Sequence, residues 1–275
     1  MQKVDLLEGS IVRSLTSLAL PIMATSLIQM AYNMTDMIWI GRVSANAVAA
    51  VGAAGMYLWL ANGLAMIPRL GGQVKVAHEL GAQNIERAAS YGQAAFHLGA
   101  LLVVLFTTLC ITLNGPLIAF FRLNTPSVIA DARTYLVIVA AGFFFSFFNQ
   151  IFTGMFTAMG GSVVVLRSTA IGLVGNIILD PLFIFGFGLG TNGAAYATWI
   201  AEASVFLIFV YQLRCRDALL GGFPFFTRLK KKYTRRIFKL GLPVATLNTL
   251  FAFVNMFLCR TASEQGGHIG LMTFT

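Results

Sequence analysis

Apolar residues run along this chain in long blocks, each closed by a short cluster of glycine, proline, asparagine or charge. Seven blocks reach or pass the ~20 residues that a helix needs to cross about 30 Å of hydrocarbon. The pattern predicts spans over about 12–40, 47–70, 89–113, 127–160, 163–187, 193–213 and 236–258. The second is predicted to continue as a more polar helix through "GGQVKVAHELGAQNIERA", with Gly71-Gly72 as a candidate break and "GAQNIER" as a boundary at the membrane surface. The third ends at Asn114-Gly115-Pro116, and the fourth follows "RLNTP". A membrane β-barrel would show short segments alternating at period two instead. The expected fold class is all-α, a polytopic membrane protein.

Composition agrees with the pattern. The chain is 57% hydrophobic and 11% charged, with 24 Phe and 27 Gly, whereas a soluble domain has about 25% charged residues. The net charge of +9 raises the question of nucleic acid. Nearly half of the 19 basic residues, however, fall between Arg214 and Lys239, between two apolar blocks, as in a cytoplasmic loop. No basic stripe interleaved with aromatics runs through the rest, so no nucleic-acid partner is expected. Counting the six spans that precede the cluster, 15 of the 19 Lys and Arg fall on the side of the N-terminus. Only Arg42, Arg122, Arg133 and Arg260 fall on the other. The chain is therefore expected in the cytoplasmic (inner) membrane, multi-pass, with its N-terminus in the cytoplasm. The first apolar stretch is too long for a cleaved signal. Cys110, Cys215 and Cys259 show no paired spacing, and His78, His97 and His268 make no metal pattern.

A repeat relates the two ends. At a shift of 222 residues Leu18, Leu20 and Pro21 meet Leu240, Leu242 and Pro243, and Asn33-Met34 meets Asn255-Met256. Six spans separate the copies, so both enter from the same side and the repeat is parallel. The expected organisation is a six-helix transmembrane lobe over 1–213, a basic cytoplasmic interlobe loop over 214–235, and over 236–275 the first helix of a second, parallel-repeat lobe that is cut short.

Asp36, Asp180 and Glu202 are carboxylates inside spans, where an ionisable group usually faces protein or a wet cavity. Thr25, Gln29, Tyr32, Asn33 and Asp36 form one polar stripe at helical spacing. Asn176 and Asp180 share a face of the fifth span, and Ala194, Thr198 and Glu202 a face of the sixth. Counting about 1.5 Å per residue from the span ends puts Asp36, Asp180 and Thr198 at one depth, roughly 8–15 Å below the outer surface. Glu202, a turn deeper, belongs either to the same cavity or to helix packing. Two carboxylates with an amide oxygen, a hydroxyl and a backbone carbonyl suit a hard cation such as Na⁺. The same pair could instead hold a proton and titrate as one unit. Asn149, Gln150 and Thr153 either line a substrate cavity or tie helices together. Pro21 and Pro181 mark places that bend, as static kinks or as hinges. "GFFFSFFNQIF" reads as packing or lipid-facing surface, and Gly172, Gly175, Gly186, Gly188 and Gly190 as sites of close helix packing. No nucleophile–base pair, metal motif or phosphate loop points to an enzyme.

"LPIMATSLIQMAYNMTDMIWIGRVS", "GGQVKVAHELGAQNIERA" and "GNIILDPLFIFGFGLGTNGAAYAT" together resemble the N-terminal half of multidrug and toxic compound extrusion (MATE) transporters, bacterial and archaeal branch, over essentially the whole chain. The resemblance implies a twelve-helix antiporter of two lobes that exports organic, often cationic, compounds in exchange for Na⁺ or H⁺. It assigns the cation or proton site to Asp36, Asn176, Asp180, the Ala194 carbonyl and Thr198, with Na⁺ on Asp36, Asn176, Asp180 and Thr198. It places Pro21 at the bend of the first helix and Gln29 and Tyr32 among the cavity-lining residues. With these, Asn33, Asn149, Thr153 and Glu202 complete the candidate substrate cavity. The implied partners are small organic substrates, the lipid bilayer and a C-terminal lobe, and no cofactor is expected beyond the coupling ion. A lipid-linked oligosaccharide flippase of the same superfamily is an alternative, set back by the scarcity of basic residues in the spans. A non-transporting membrane subunit is another.

Overall fold

The computed structural model describes residues 11–215 and 231–274, with side chains between 15 and 264, residue 18 excepted. All regular structure among these residues is helical: α1 (Ile11–Val43), α2 (Ala45–Gly81), α3 (Ile85–Thr112), the short α4 (Asn114–Ala119), α5 (Pro126–Ala158), α6 (Ser162–Pro181), a π-helical turn (Leu182–Gly186), α7 (Gly190–Cys215) and α8 (Lys231–Phe274). Seven helical segments among the described residues are long and apolar enough to cross a membrane. Most of the basic loop between α7 and α8 lies outside the described residues.

Local chemistry sets the ends. Ser44 caps α2, its hydroxyl accepting from the Ala47 N–H at 3.0 Å. Asn84 does the same for α3 through the Arg87 N–H at 3.3 Å. Pro126 opens α5, where a missing N–H costs nothing. The "GAQNIER" boundary stands. The polar extension of the second span, however, stops at Gly81, and Ile85 already belongs to α3. The third span ends at Thr112, close to the expected Asn114-Gly115-Pro116, and those three residues open the short α4. The seventh span also begins earlier and runs longer than expected, from Lys231.

α2 and α5 form the centre, with α3 across them, α8 on the outer side of α2, and α1, α6 and α7 grouped on the other side of α5. The aromatic run of α5 is mostly core. Phe143, Phe147, Phe152 and Phe156 are fully buried, and Phe143, Phe152 and Phe156 pack their rings on Phe106, Phe96 and Phe209 with centroids 5.0–5.7 Å apart. Only Phe144 of the group is clearly exposed.

Gly71-Gly72 does not break α2, which is continuous from Ala45. Both glycines instead admit neighbours. A Cβ on Gly71 would collide with the Ile237 carbonyl oxygen of α8, and one on Gly72 would lie 2.9 Å from the Ala95 Cβ of α3. Gly241 of α8 meets the Ile67 backbone of α2 in the same way. Glycines on both partners bring two backbones together where hydrophobic burial gives no drive between helices in lipid. The order of these contacts makes α8 antiparallel to α2. Asp36 and Trp39 face Asp180 and Phe185, so α1 runs with α6 and, like α8, against α2. That is the relation expected of a parallel repeat. The expected packing role holds for Gly172, which faces Val205, but not for Gly175, Gly188 and Gly190, which have open space around them. Gly188 and Gly190 have φ +66° and +55°, so they turn the chain between the π-turn and α7 rather than pack it.

Candidate ion site and cavity

Asp36 on α1 and Asp180 on α6 meet carboxyl to carboxyl. Two carboxyls can bond to each other only while one keeps a proton, because an ionised carboxylate has no donor. Asp180 is completely buried and its Oδ1 accepts from Asn176 Nδ2 at 3.0 Å. Helical spacing produces this bond, since residues four apart stand one above the other. Thr198 of α7 and Tyr32 of α1 lie side by side below the pair. Five oxygens, Tyr32 Oη, Asp36 Oδ1, Asn176 Oδ1, Asp180 Oδ2 and Thr198 Oγ1, are buried here without a hydrogen-bond partner. Buried oxygens without partners are rare in proteins. Five from three helices in one place are the chemistry of a site for a hard cation or a proton. No group of three or more His, Cys, Asp or Glu placed to hold a metal ion occurs among the described residues.

The turn after Asp180 fixes its outer edge. Pro181 has no N–H to give to the preceding turn, and the chain widens into the π-turn at once. The start of α7 packs directly on it: a Cβ at Gly193 would stand 2.6 Å from the Phe183 carbonyl carbon. Ala194, next to that contact, is fully buried and lies inside α7. Pro21 does not interrupt α1, which runs through it, and the Pro21 carbonyl accepts from Thr25 Oγ1 at 2.8 Å.

Below the ion site opens a cavity of about 380 Å³ between α1, α2, α5, α6 and α7. It receives all six residues expected there, Gln29, Tyr32, Asn33, Asn149, Thr153 and Glu202, and Thr198 as well. Asp36, Asn176, Asp180 and Ala194 stand behind its wall. Tyr32 and Thr198 therefore belong to both places and separate the ion site from the cavity. Asn149 does tie helices: its Nδ2 donates to the Glu202 carboxyl and, at 2.9 Å, to the Glu202 carbonyl. Gln150 Oε1 accepts from Arg69, and its Nε2 donates to Asn62 Oδ1 at 3.3 Å.

Trp59, Asn62, Ser146 and Trp199 also line the cavity and were not anticipated. Asn62 had a signal, because it lies seven residues before Arg69 and so on the same face of α2. The tryptophans had none, since a single aromatic in an apolar helix faces lipid as readily as a cavity.

The probable multidrug resistance protein YpnP of Bacillus subtilis is 27% identical over 98% of this chain and 60% of its own length. The probable multidrug resistance protein NorM of Thermotoga maritima is 26% identical over 93% of this chain and 57% of its own. A MATE structure solved in complex with MaD3S superposes with a TM-score of 0.85 at 26% identity, over 100% of this chain and 62% of that one. The chain thus spans about three fifths of the length of the proteins it matches. The MatE family model matches residues 21–182, across α1 to α6 and with them Asp36, Asn176 and Asp180. On that match, over more than half of its residues, the chain belongs to the MatE family of membrane transporters.

Proposed function

We propose that the chain is the N-terminal part of a cation-coupled exporter of organic compounds, driven by Na⁺ or H⁺ across the cytoplasmic membrane, and that a C-terminal lobe completes it. The observation that carries this reading is the set of five partnerless oxygens directly above a cavity large enough for an organic molecule. The excess of Lys and Arg on the N-terminal side supports a cytoplasmic N-terminus, and the relatives named for multidrug resistance support the class of cargo.

The coupling step follows from electrostatics. Two ionised carboxylates side by side in a poorly solvated site repel. A bound Na⁺ or a shared proton removes the repulsion and draws α1 onto α6. Tyr32 and Thr198 stand between that event and the cavity, so loading the site changes the cavity wall on α1 and α7. Pro21 lies in the segment of α1 that would bend, and Pro181 in the turn that would give. Substrate is released when the loaded ion reshapes the wall, and the reverse movement resets the site.

Thr198→Val tests the reading. Valine keeps the shape and removes the one hydroxyl that α7 gives to the site. Where the driving ion is Na⁺, the loss of a neutral ligand should weaken its binding about tenfold. The check is dye efflux by the complete two-lobe protein, in cells or vesicles under an imposed Na⁺ or pH gradient. An efflux rate that is independent of both gradients would remove coupling from the account.

A further inference from the structure

α8 opens with Lys231, Lys232, Arg235, Arg236 and Lys239. Steps of one and four residues keep all five within about 140° of one side of the helix. What the other side touches fixes the rotation of α8. Ile237 is fully buried with its carbonyl oxygen set against Gly71 of α2, and Gly241 lies on the Ile67 backbone. Tyr233 packs edge-on against Tyr91 of α3, with centroids 4.8 Å apart. The basic side therefore points away from the lobe, and all five residues are exposed.

Arg236 is engaged: its Nη1 donates to the Tyr91 hydroxyl at 3.0 Å, and Glu79 of α2 lies close enough to act on its charge. Lys231, Lys232, Arg235 and Lys239 make no ion pair or hydrogen bond among the described residues. Four like charges along about 12 Å of helix repel one another unless an anion stands opposite them. The neighbouring surface says which anion. Phe238, Leu240 and Leu242 are exposed around and just beyond the last of these charges. Leu242, seven residues after Arg235, continues the same side of the helix. A free phosphate or an acidic peptide would meet the charges and leave this apolar step bare. A phospholipid meets both, with its phosphate on the basic residues and its chains on the apolar ones. The basic segment is also tall enough to cross the headgroup layer, which adds about 5–8 Å to each side of the hydrocarbon core.

We infer that the basic side of α8 is a docking face for anionic phospholipid headgroups, in the leaflet that meets the start of this helix. The inference concerns neither the ion site nor the cavity, and it needs only that the chain crosses a membrane. Lys231, Lys232, Arg235 and Lys239 bind the headgroups. Arg236, tied to Tyr91, is a positioning residue that helps hold the face at its angle. Each exposed cation beside an anionic leaflet is worth about fivefold in lipid preference, and the attraction decays over about 10 Å in 0.1 M salt. Ile237 and Gly241 fasten the same turns to α2, so the lipid holds α8 from the side opposite that seam.

The test equilibrates the purified full chain with equal amounts of phosphatidylglycerol and phosphatidylcholine in detergent micelles, re-isolates it, and counts the retained lipids by mass spectrometry. Phosphatidylglycerol should be retained about fivefold or more over phosphatidylcholine in 0.1 M salt, and the preference should vanish in 1 M salt, where charges are screened within about 3 Å. Lys231→Gln, Lys232→Gln, Arg235→Gln and Lys239→Gln together should abolish the preference in low salt as well. Arg235→Gln with Lys239→Gln, a milder change, should lower it partway. Arg87→Gln with Arg167→Gln removes two exposed cations from α3 and α6 and should leave it intact. Equal retention of the two lipids by the native chain overturns the inference. So does a preference that survives the fourfold variant or 1 M salt, or one that falls as far in the Arg87 and Arg167 control as in the α8 pair. Displacement of phosphatidylglycerol by poly-glutamate would make the face a dock for an acidic protein segment, and would overturn it too.

Discussion

Asp180→Asn, made in the complete two-lobe protein proposed above, should reduce ion-driven efflux by about a hundredfold or more while leaving the helices in place. The size follows from removing one of two charged ligands in a buried site, which outweighs the loss of any neutral ligand. The fold should survive because asparagine keeps the shape and its Oδ1 can still accept from Asn176 Nδ2, as the Asp180 carboxyl does at 3.0 Å. Asp36→Asn should behave alike, since Asp36 supplies the other half of the pair. The comparison that isolates the site is Asp131→Asn, an exposed carboxyl at the start of α5, which should leave efflux unchanged. Efflux under an imposed gradient, normalised to the amount of protein in the membrane, reads all three.

The largest effect on stability should come from Gly241→Leu. A Cβ at that position would collide with the Ile67 carbonyl oxygen and stand 2.8 Å from the Ile67 Cα. These are backbone atoms in the middle of α2 and cannot turn aside as a side-chain tip would. Either α8 moves off α2 along its length or α2 distorts, at a cost of about 3 kcal/mol. Gly71, opposite Ile237, belongs to the same seam and makes the cost of separation larger. Gly175→Ala is the matched control, because its Cβ would enter open space and alanine favours a helix by about 1 kcal/mol. The fraction of protein that remains monodisperse after graded heating should fall at markedly lower temperature for Gly241→Leu, and stay or rise for Gly175→Ala.

The candidate ion site was legible because its signals are local and periodic. Thr25, Gln29, Tyr32, Asn33 and Asp36 interrupt an apolar helix at one face, and Asn176 and Asp180 do so one turn apart. Depth then follows from counting residues, which is how Thr198 and Asp36 could be set at one level before any contact was known. What stayed hidden depends on partners. Gly71-Gly72 looks like a helix break as long as α8 is absent from view, because only the approach of Ile237 explains why glycine is needed. The Arg69–Gln150 contact joins residues in different spans, and no spacing rule connects them. The π-turn was visible only as a proline after Asp180, since the sequence shows where a hydrogen bond is lost and not how the chain absorbs the loss.

Direct ion binding to the purified full chain in lipid nanodiscs tests the central claim most closely. ²²Na⁺ retention and proton uptake would be recorded side by side on the native chain and on Asp36→Asn, Asp180→Asn and Asp131→Asn. The expected result is saturable binding of a single ion, Na⁺ or a proton, per native chain. It should be lost in the first two variants and kept in the third. Binding that persists unchanged without Asp36 or Asp180, or the absence of any saturable ion on the native chain, would contradict the assignment of this pair as the coupling site.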